Sequence, residues 1–171
     1  MVGLYREVDY EFYSVELLRQ LPKGVFLSTR NGSTANTTTI GWASIGIMWG
    51  MPIFTGLVRP SSFSYGLIEK TGEFTISIPL GTDFSDELLL CGRTSGESID
   101  KFSECNLTAM KSKTLETYIV GDCELHLDCK VIMKNETKED SFPEKIKNVH
   151  YRQDDFHNIY FAEIVAAYVI D

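Results

Sequence analysis

The sequence predicts a mainly β fold, a β-barrel with short flanking helices. Short segments rich in β-branched and aromatic residues recur along the chain, turn residues separate them, and the helix-like segments between them are brief. A content of 43% hydrophobic and 12% aromatic residues in 171 is enough to bury one continuous core. We therefore predict a single domain over residues 1–171.

The N-terminal part predicts a helix followed by a β-hairpin. The segment "SVELLRQL" has Ser14 as a candidate N-cap, and Pro22 and Gly24 end it. The next segment, "GVFLSTR", is typical of a strand, and Asn31-Gly32 predicts a tight hairpin turn.

The stretch from Ile40 to Val58 contains no charged residue over nineteen positions, which is long enough for a membrane span. Four glycines and Pro52 weaken a continuous helix there, and a Ser/Thr/Asn run precedes it instead of a basic anchor. We therefore predict two strands, "TTTIGW" and "PIFTGLV", joined by a Gly-rich bend, and no membrane partner.

The next segments alternate between short helices and strands. A helix is predicted in "SSFSYGLIEKTG", with a serine cap and Gly72 as its stop, and a strand follows in "EFTISIP". Two further short helices are predicted in "DFSDELLLCG" and "SIDKFSEC".

The C-terminal third contains the clearest strand pattern of the chain. The segment "CELHLDCKVIMK" alternates between apolar and polar residues from Cys123 to Val131. The charged run "KNETKEDSFPEK" predicts a solvated loop, and the mostly apolar "NIYFAEIVAAYVI" predicts a long strand buried on both faces.

Charge and cysteine content restrict the partners and the compartment. A net charge of −8 disfavours a broad nucleic-acid or anionic-membrane surface, so no nucleic acid is expected. The charged N-terminus "MVGLYREVDYEFY" lacks the apolar core of a signal peptide, which favours the cytoplasm. Free thiols are expected for all four cysteines there, namely Cys91, Cys105, Cys123 and Cys129.

The common catalytic and metal-binding motifs are either absent from the sequence or incompatible with the predicted strands. Cys123, His126 and Cys129 have a zinc-like C-x2-H-x2-C spacing, but a strand would place His126 on the opposite face and separate the thiols by about 20 Å. No metal site is therefore predicted. The sequence also lacks a G-x-S-x-G elbow, a P-loop and a G-x-G-x-x-G fingerprint.

Four segments of the chain form a pattern in a fixed order: "NTTTIGWASIGIMWGMPIFTGLVRPSSFSYGLIEKTGEFTISIP", "CGRTSGESIDKF", "CELHLDCKV" and "HNIYFAEIVAAYV". Together they resemble the flavin reductase-like family with the FMN-binding split barrel, especially its flavoredoxin branch. The resemblance extends from about Gly24 to the end of the chain. It implies FMN as cofactor, NADH, NADPH or a protein as reductant, a homodimer, and a possible redox protein partner.

The resemblance assigns the flavin ring edge and the phosphate to two separate segments. The ring edge would be held by Thr39, Ile40, Gly41, Trp42, Ala43 and Ser44, although a barrel corner with Trp42 and Trp49 filling core or dimer interface remains the alternative. The phosphate would lie at the start of a helix near Arg59, Ser61 and Ser64, where an N-cap and a solvated arginine are the alternative. Relatives often carry a basic residue where this chain has Ser62.

Two more parts of the resemblance complete the expected site. Ser95, Gly96 and Lys101 match a loop and a lysine that reach the cofactor, although Lys101 is also compatible with an exposed helix lysine. His157 matches a histidine on the side of the hydride donor, with a strand-capping surface histidine as the alternative. A non-catalytic flavin carrier or sensor, or a relative that binds haem or pyridoxal phosphate, remains a functional alternative.

Overall fold

The structure is a computed structural model that describes residues 5–151 and 153–170. The strands are β1 (Tyr5–Glu7), β2 (Val25–Asn31), β3 (Thr34–Ile40), β4 (Ala43–Met48), β5 (Met51–Val58), β6 (Glu73–Ile78), β7 (Ala109–Lys111), β8 (Tyr118–Val120), β9 (Leu125–Asn135) and β10 (Asn158–Ile170). The helices are α1 (Ser14–Gln20), α2 (Phe63–Thr71), α3 (Ser85–Arg93), α4 (Lys101–Glu104) and α5 (Glu144–His150), with 3-10 turns at Tyr10–Tyr13, Leu21–Lys23 and Glu139–Ser141.

The strands form one large antiparallel sheet with the order β3-β2-β6-β9-β10-β5-β4, and β7 and β8 form a separate ribbon. Strand β10 pairs with β9 along one edge, while its other edge pairs first with β5 and then with β1. Two irregularities, at Phe161/Ala162 and Ile164/Ala166, interrupt its register with β9. Such irregularities bend a long strand. The predicted mainly β fold class with short helices is confirmed.

The main core lies inside the curved sheet and under α1 and α2. Its largest fully buried side chains include Phe54, Phe74 and Tyr160, and the rings of Phe54 and Phe74 meet edge to face at 6.1 Å. Each such side chain contributes about 1.5–3 kcal/mol by its burial. A second, smaller core joins α3 and α4 to β2 through Phe26, Leu88 and Phe102.

The predicted Gly-rich bend between two strands is wrong, because residues 43–48 form strand β4 as an edge strand against β5. Gly46 lies within this strand and pairs with Ile53 of β5. The hairpin turns at Trp49 and Gly50, whose φ angles are +52° and +73°. Two left-handed residues are typical of the two-residue turn that matches strand twist. The predicted hairpin between β2 and β3 is confirmed, but Asn31 is the last residue of β2 and pairs with Thr34, so the turn residues are Gly32 and Ser33.

Local expectations fail at four other places. Ser14 is the first residue of α1 and not its cap, since Tyr13 occupies that position. Asp100 caps α4 by accepting the backbone N–H groups of Phe102 and Ser103, so this helix begins later than expected. The charged loop contains a 3-10 turn and the start of α5. Strand β10 is buried mainly on one face, while the other face is half exposed.

The outer face of β9 carries two polar residues that the β7–β8 ribbon buries completely, His126 and Asp128. The carbonyl of Cys123 can only accept a hydrogen bond, so Nε2 of His126 donates to it at 2.9 Å and Nδ1 accepts from Ser77 at 3.0 Å. Burial lowers the pKa of His126 to about 4, so its ring is neutral at pH 7. In residues 5–151 and 153–170, no group of three or more His, Cys, Asp or Glu side chains could hold a metal ion.

The described helices have nine residues or fewer. None of them is long and apolar enough to cross a membrane.

Candidate functional site

A polar cleft opens between β3, the end of β5, the start of α2 and the segment that follows α3. It consists of two adjoining cavities of 320 Å³ and 200 Å³. Both are lined by Thr39, Ile40, Leu57, Arg59 and His157, so they lie side by side. The other lining residues are Thr38, Gly41, Trp42, Val58, Ser61, Ser62, Phe63, Gly92, Arg93, Thr94, Ser95 and Lys101.

The β3 wall of the cleft depends on close backbone approach around Thr39. A Cβ atom on Gly24, whose φ is +104°, would lie 2.7 Å from the Thr39 methyl group, and one on Gly92 would lie 3.3 Å from its Cβ. The Thr39 hydroxyl donates to the Leu88 carbonyl at 2.6 Å, which ties α3 to the strand. Since β3 is at the end of the sheet order, alternate backbone N–H and C=O groups point away from β2.

The start of α2 holds a set of anion donors that are occupied by the chain's own carboxylate. The Arg59 guanidinium donates to the Asp155 carbonyl at 2.6 Å and lies 3.9 Å from its carboxylate. Ser61 donates to the same carboxylate through its backbone N–H at 3.3 Å and through its hydroxyl. Arg59 also donates to the His150 carbonyl at 3.3 Å. Asp155 thus lies where an external anion would compete for Arg59 and Ser61.

Two serines near this helix start have roles that differ from those expected. Ser62 is at the N-cap of α2, but its side chain makes no capping hydrogen bond. Ser64 is fully buried and accepts a hydrogen bond from the Asn36 amide at 2.8 Å. Ser64 is absent from the lining of the described cleft. Its structural role is to fix α2 to β3.

The opposite wall carries two more cations, Arg93 and Lys101. Lys101 is only 3% exposed, so the alternative of a solvated helix lysine is wrong. Its ammonium group donates to the Cys91 carbonyl at 2.7 Å, and burial lowers its pKa. Three cationic side chains therefore face one cleft in a chain of net charge −8.

Gly96 lies behind this wall and allows it to approach β3 closely. A Cβ atom there would lie 2.3 Å from the Asn36 side-chain oxygen and 2.6 Å from the Phe63 ring. We expect Gly96→Ala to lower the free energy of unfolding by about 1–3 kcal/mol, because the added methyl group overpacks this contact. Urea unfolding measures the effect.

The matched control is Gly66→Ala in α2, where a Cβ atom meets nothing within 4 Å. Alanine is the better helix former, so this variant should gain up to about 1 kcal/mol. A Gly96→Ala protein as stable as the unmodified chain would show that the neighbouring side chains rearrange around the added methyl group with no loss of stability.

The outer end of the cleft is bordered by aromatic side chains around His157. The Trp42 and His157 ring centres are 5.0 Å apart, and the Tyr151 hydroxyl lies 2.9 Å from Nδ1 of His157. Burial, followed by the nearby Arg59 charge, lowers the pKa of His157 to about 4. The ring is therefore neutral at pH 7 and adds no charge to the cleft.

The structure brings together nine of the residues that the sequence singled out, at the lining of this cleft. They are Thr39, Ile40, Gly41, Trp42, Arg59, Ser61, Ser95, Lys101 and His157. Ala43, Ser44, Ser64 and Gly96 lie outside the lining of the described cleft.

Sequence reasoning missed two residues that matter to the electrostatics of the cleft. Arg93 lies within the segment "CGRTSGES", where a basic residue beside Gly92 was an available signal. Asp155 gave no local signal, because its contacts with Arg59 and Ser61 join residues more than ninety positions apart in sequence.

The arrangement is suited to binding an anionic ligand with a flat, partly apolar body. Arginine and lysine supply charge-assisted donors, while Ile40, Leu57 and Trp42 supply apolar surface. The described lining contains no carboxylate and no thiol.

A family model covers most of the chain. Residues 18–171 match the family model described as "Flavin reductase like domain". An uncharacterized protein from Archaeoglobus fulgidus is 23% identical over 124 residues, which cover 72% of this chain and 69% of that protein.

Solved structures of similar fold include a flavoredoxin and an FMN-binding domain. Flavoredoxin of Desulfovibrio vulgaris (Miyazaki F) superposes with a TM-score of 0.69 at 23% identity, covering 86% of this chain and 69% of that one. An FMN-binding domain of a flavin reductase-like enzyme from Shewanella baltica superposes with a TM-score of 0.67 at 19% identity, covering 99% and 79% of the two chains. The fold is thus the split barrel of these proteins.

Proposed function

Because the chain belongs to the flavin reductase-like domain family, we propose that it binds FMN and acts as an oxidoreductase or electron-transfer protein of the flavoredoxin or flavin reductase type. The observation that carries this proposal is the cleft in which Arg59, Arg93 and Lys101 surround the free edge of β3. The larger cavity, at 320 Å³, lies at the lower end of the range of about 300–1,000 Å³ that is usual for small-molecule sites, and the 200 Å³ cavity adjoins it.

The residues present fit the two ends of FMN differently. Residues 39–42 offer backbone polar groups and the Trp42 ring to the flavin, and small Gly41 permits close approach. At the phosphate end, Arg59 and Ser61 are already engaged by Asp155. A phosphate would therefore replace this carboxylate, or it would lie nearer to Arg93, Ser95 and Lys101. The positive charges of Arg93 and Lys101 partly compensate for the basic residue that is missing at Ser62.

In this proposal the chain orients the cofactor, balances the charge of its phosphate and excludes water, while the cofactor provides the redox chemistry. FMN supplies hydride acceptance and one- or two-electron transfer when bound. Arg59 and Lys101 balance the charge of the phosphate, and neutral His157 borders the side from which NADH or NADPH would approach. No protein acid, base or nucleophile is needed for such a transfer, in agreement with the lining.

The proposed assembly is a homodimer in the cytoplasm, and the 1–171 chain is proposed to form one domain. Exposed apolar residues support a partner surface at the β4 hairpin, where Ile47 and Trp49 are 61% and 59% exposed. The half-exposed face of β10 is a second apolar surface. The acidic net charge favours a basic protein as an alternative electron donor to nicotinamide.

Optical titration tests the proposed activity. We expect the purified protein to be yellow, or to become so with added FMN, and to bleach under anaerobic NADH or NADPH. Bleaching by dithionite alone would favour the non-catalytic carrier, which receives electrons from another protein. A colourless protein that does not bind added FMN would contradict both.

A further inference from the structure

Two cysteines that are distant in sequence meet directly behind the cleft. Cys91 lies in the last turns of α3 and Cys105 directly follows α4, and their sulfur atoms are 3.8 Å apart. Cys91 is fully buried, whereas Cys105 is partly exposed. A disulfide requires the sulfur atoms to lie about 2 Å apart, so a small side-chain movement brings them to bonding distance.

The position of this pair connects it to the cleft. The Cys91 carbonyl accepts hydrogen bonds from Lys101 at 2.7 Å and from Thr38 at 3.4 Å, and both of these residues line the cleft. The chain between the two cysteines contains the wall residues 92–95 as well as Lys101. A bond between Cys91 and Cys105 would therefore join the two ends of this wall.

We propose that Cys91 and Cys105 form a redox-active dithiol, which closes to an intramolecular disulfide on reaction with low-molecular-weight disulfides such as oxidised glutathione and so fixes the cleft wall. The proposal rests on the geometry of the two sulfur atoms. It does not require that the cleft binds a flavin.

The reaction balances as two successive exchanges. The more exposed Cys105 loses its proton and attacks one sulfur of the small disulfide, which releases one small thiol and leaves a mixed disulfide. Cys91 then loses its proton and attacks the Cys105 sulfur, which releases the second small thiol. Two protein thiols are oxidised, and one small disulfide is reduced to two thiols.

The surroundings predict that the closure accelerates with rising pH. Burial raises the pKa of the Cys91 thiol to about 12 and also raises the pKa of Cys105. The carboxylates of Glu87 and Glu104 act in the same direction on Cys105, while the Lys101 charge opposes them on both thiols. Since the thiolate is the nucleophile, alkaline buffer increases the reacting fraction.

Thiol mapping of the flavin-free protein tests the proposal. Fully reduced protein is incubated with oxidised glutathione at mildly alkaline pH, its free thiols are alkylated, and its peptides are identified by mass spectrometry. We expect two of the four thiols to disappear, with a Cys91–Cys105 linkage, a mass lower by two hydrogen atoms, and no retained glutathione.

Serine variants provide the controls. Cys105→Ser removes the accessible thiol and should abolish oxidation of Cys91, whereas Cys123→Ser, at another buried thiol, should leave the closure unchanged. The proposal is overturned by glutathione that stays on Cys105, by a linkage that includes Cys123 or Cys129, or by four unreacted thiols in folded protein when unfolded protein is oxidised under the same conditions.

Hydrogen exchange provides a second readout that also needs no flavin. The disulfide restricts the conformations available to residues 92–104. Their amide protons should therefore exchange more slowly in oxidised than in reduced protein. Equal exchange in the two forms would show that the linkage does not fix the wall. If the protein does not bind FMN but the Cys91–Cys105 disulfide forms, the proposed function is wrong and the dithiol proposal stands.

Discussion

FMN should bind about 10- to 100-fold more weakly to the Arg59→Ala variant than to the unmodified protein, a loss of about 1.5–3 kcal/mol. The substitution removes a guanidinium group at the cleft, together with its charge-assisted hydrogen bonds. It also leaves the Asp155 carboxylate without this partner, in the place where the proposed phosphate would approach. Quenching of flavin fluorescence gives both dissociation constants.

Riboflavin is the control ligand, because it has the same ring and no phosphate. Its affinity should change only slightly in Arg59→Ala. An equal loss for both ligands would mean that Arg59 acts by holding His150 and Asp155 in place through their carbonyls. The phosphate would then lie elsewhere.

Asp155→Asn is the matched variant on the other side of the same contact. It removes the negative charge that competes for Arg59 and Ser61 while keeping the size of the side chain. FMN should bind more tightly to this variant, and riboflavin should bind as before. Weaker FMN binding would show that Asp155 organises the donors instead of competing for them.

Asp128→Ala should lower the free energy of unfolding by about 3–5 kcal/mol, without a direct effect on the cleft. The Asp128 carboxylate is fully buried and accepts hydrogen bonds from Tyr168 at 2.8 Å, from Ser112 at 2.7 Å and from both polar groups of Thr114. Alanine leaves buried hydroxyl groups without a partner. Urea unfolding measures the loss.

Asp122→Ala is the control for this second prediction. Asp122 also accepts a backbone N–H and a hydroxyl, both from Thr108, but it is exposed. Water can replace its hydrogen bonds, so the cost should be about 1 kcal/mol. Equal losses in the two variants would mean that burial of Asp128 contributes nothing.

The strands that carry a periodic pattern were predictable, whereas those that depend on distant partners were not. Alternation of apolar and polar residues in "CELHLDCKVIMK" predicted β9, and the structure has this strand from Leu125 to Asn135. The three-residue strands β7 and β8 gave no such signal. They are held by long-range contacts, such as Thr75 donating to the Tyr118 carbonyl and the Val120 amide donating to Ser77.

The cleft was predictable to the extent that its residues lie close together in the chain. The threonines of β3 and the residues around Arg59 were found through the four segments of the family resemblance, and the structure assembles them in one place. Asp155 was missed because a carboxylate in a charged loop has no local property that reveals a partner ninety-six residues away. The burial of Lys101 was equally hidden, since helix lysines are mostly exposed.

The turn at Trp49 and Gly50 puts the only two tryptophans at the two ends of strand β4, in different surroundings. Trp42 borders the cleft beside His157, and Trp49 projects at the far tip. Their ultraviolet emission therefore reports on separate regions. A Trp49→Phe protein would emit from the cleft alone, and a Trp42→Phe protein from the hairpin tip alone.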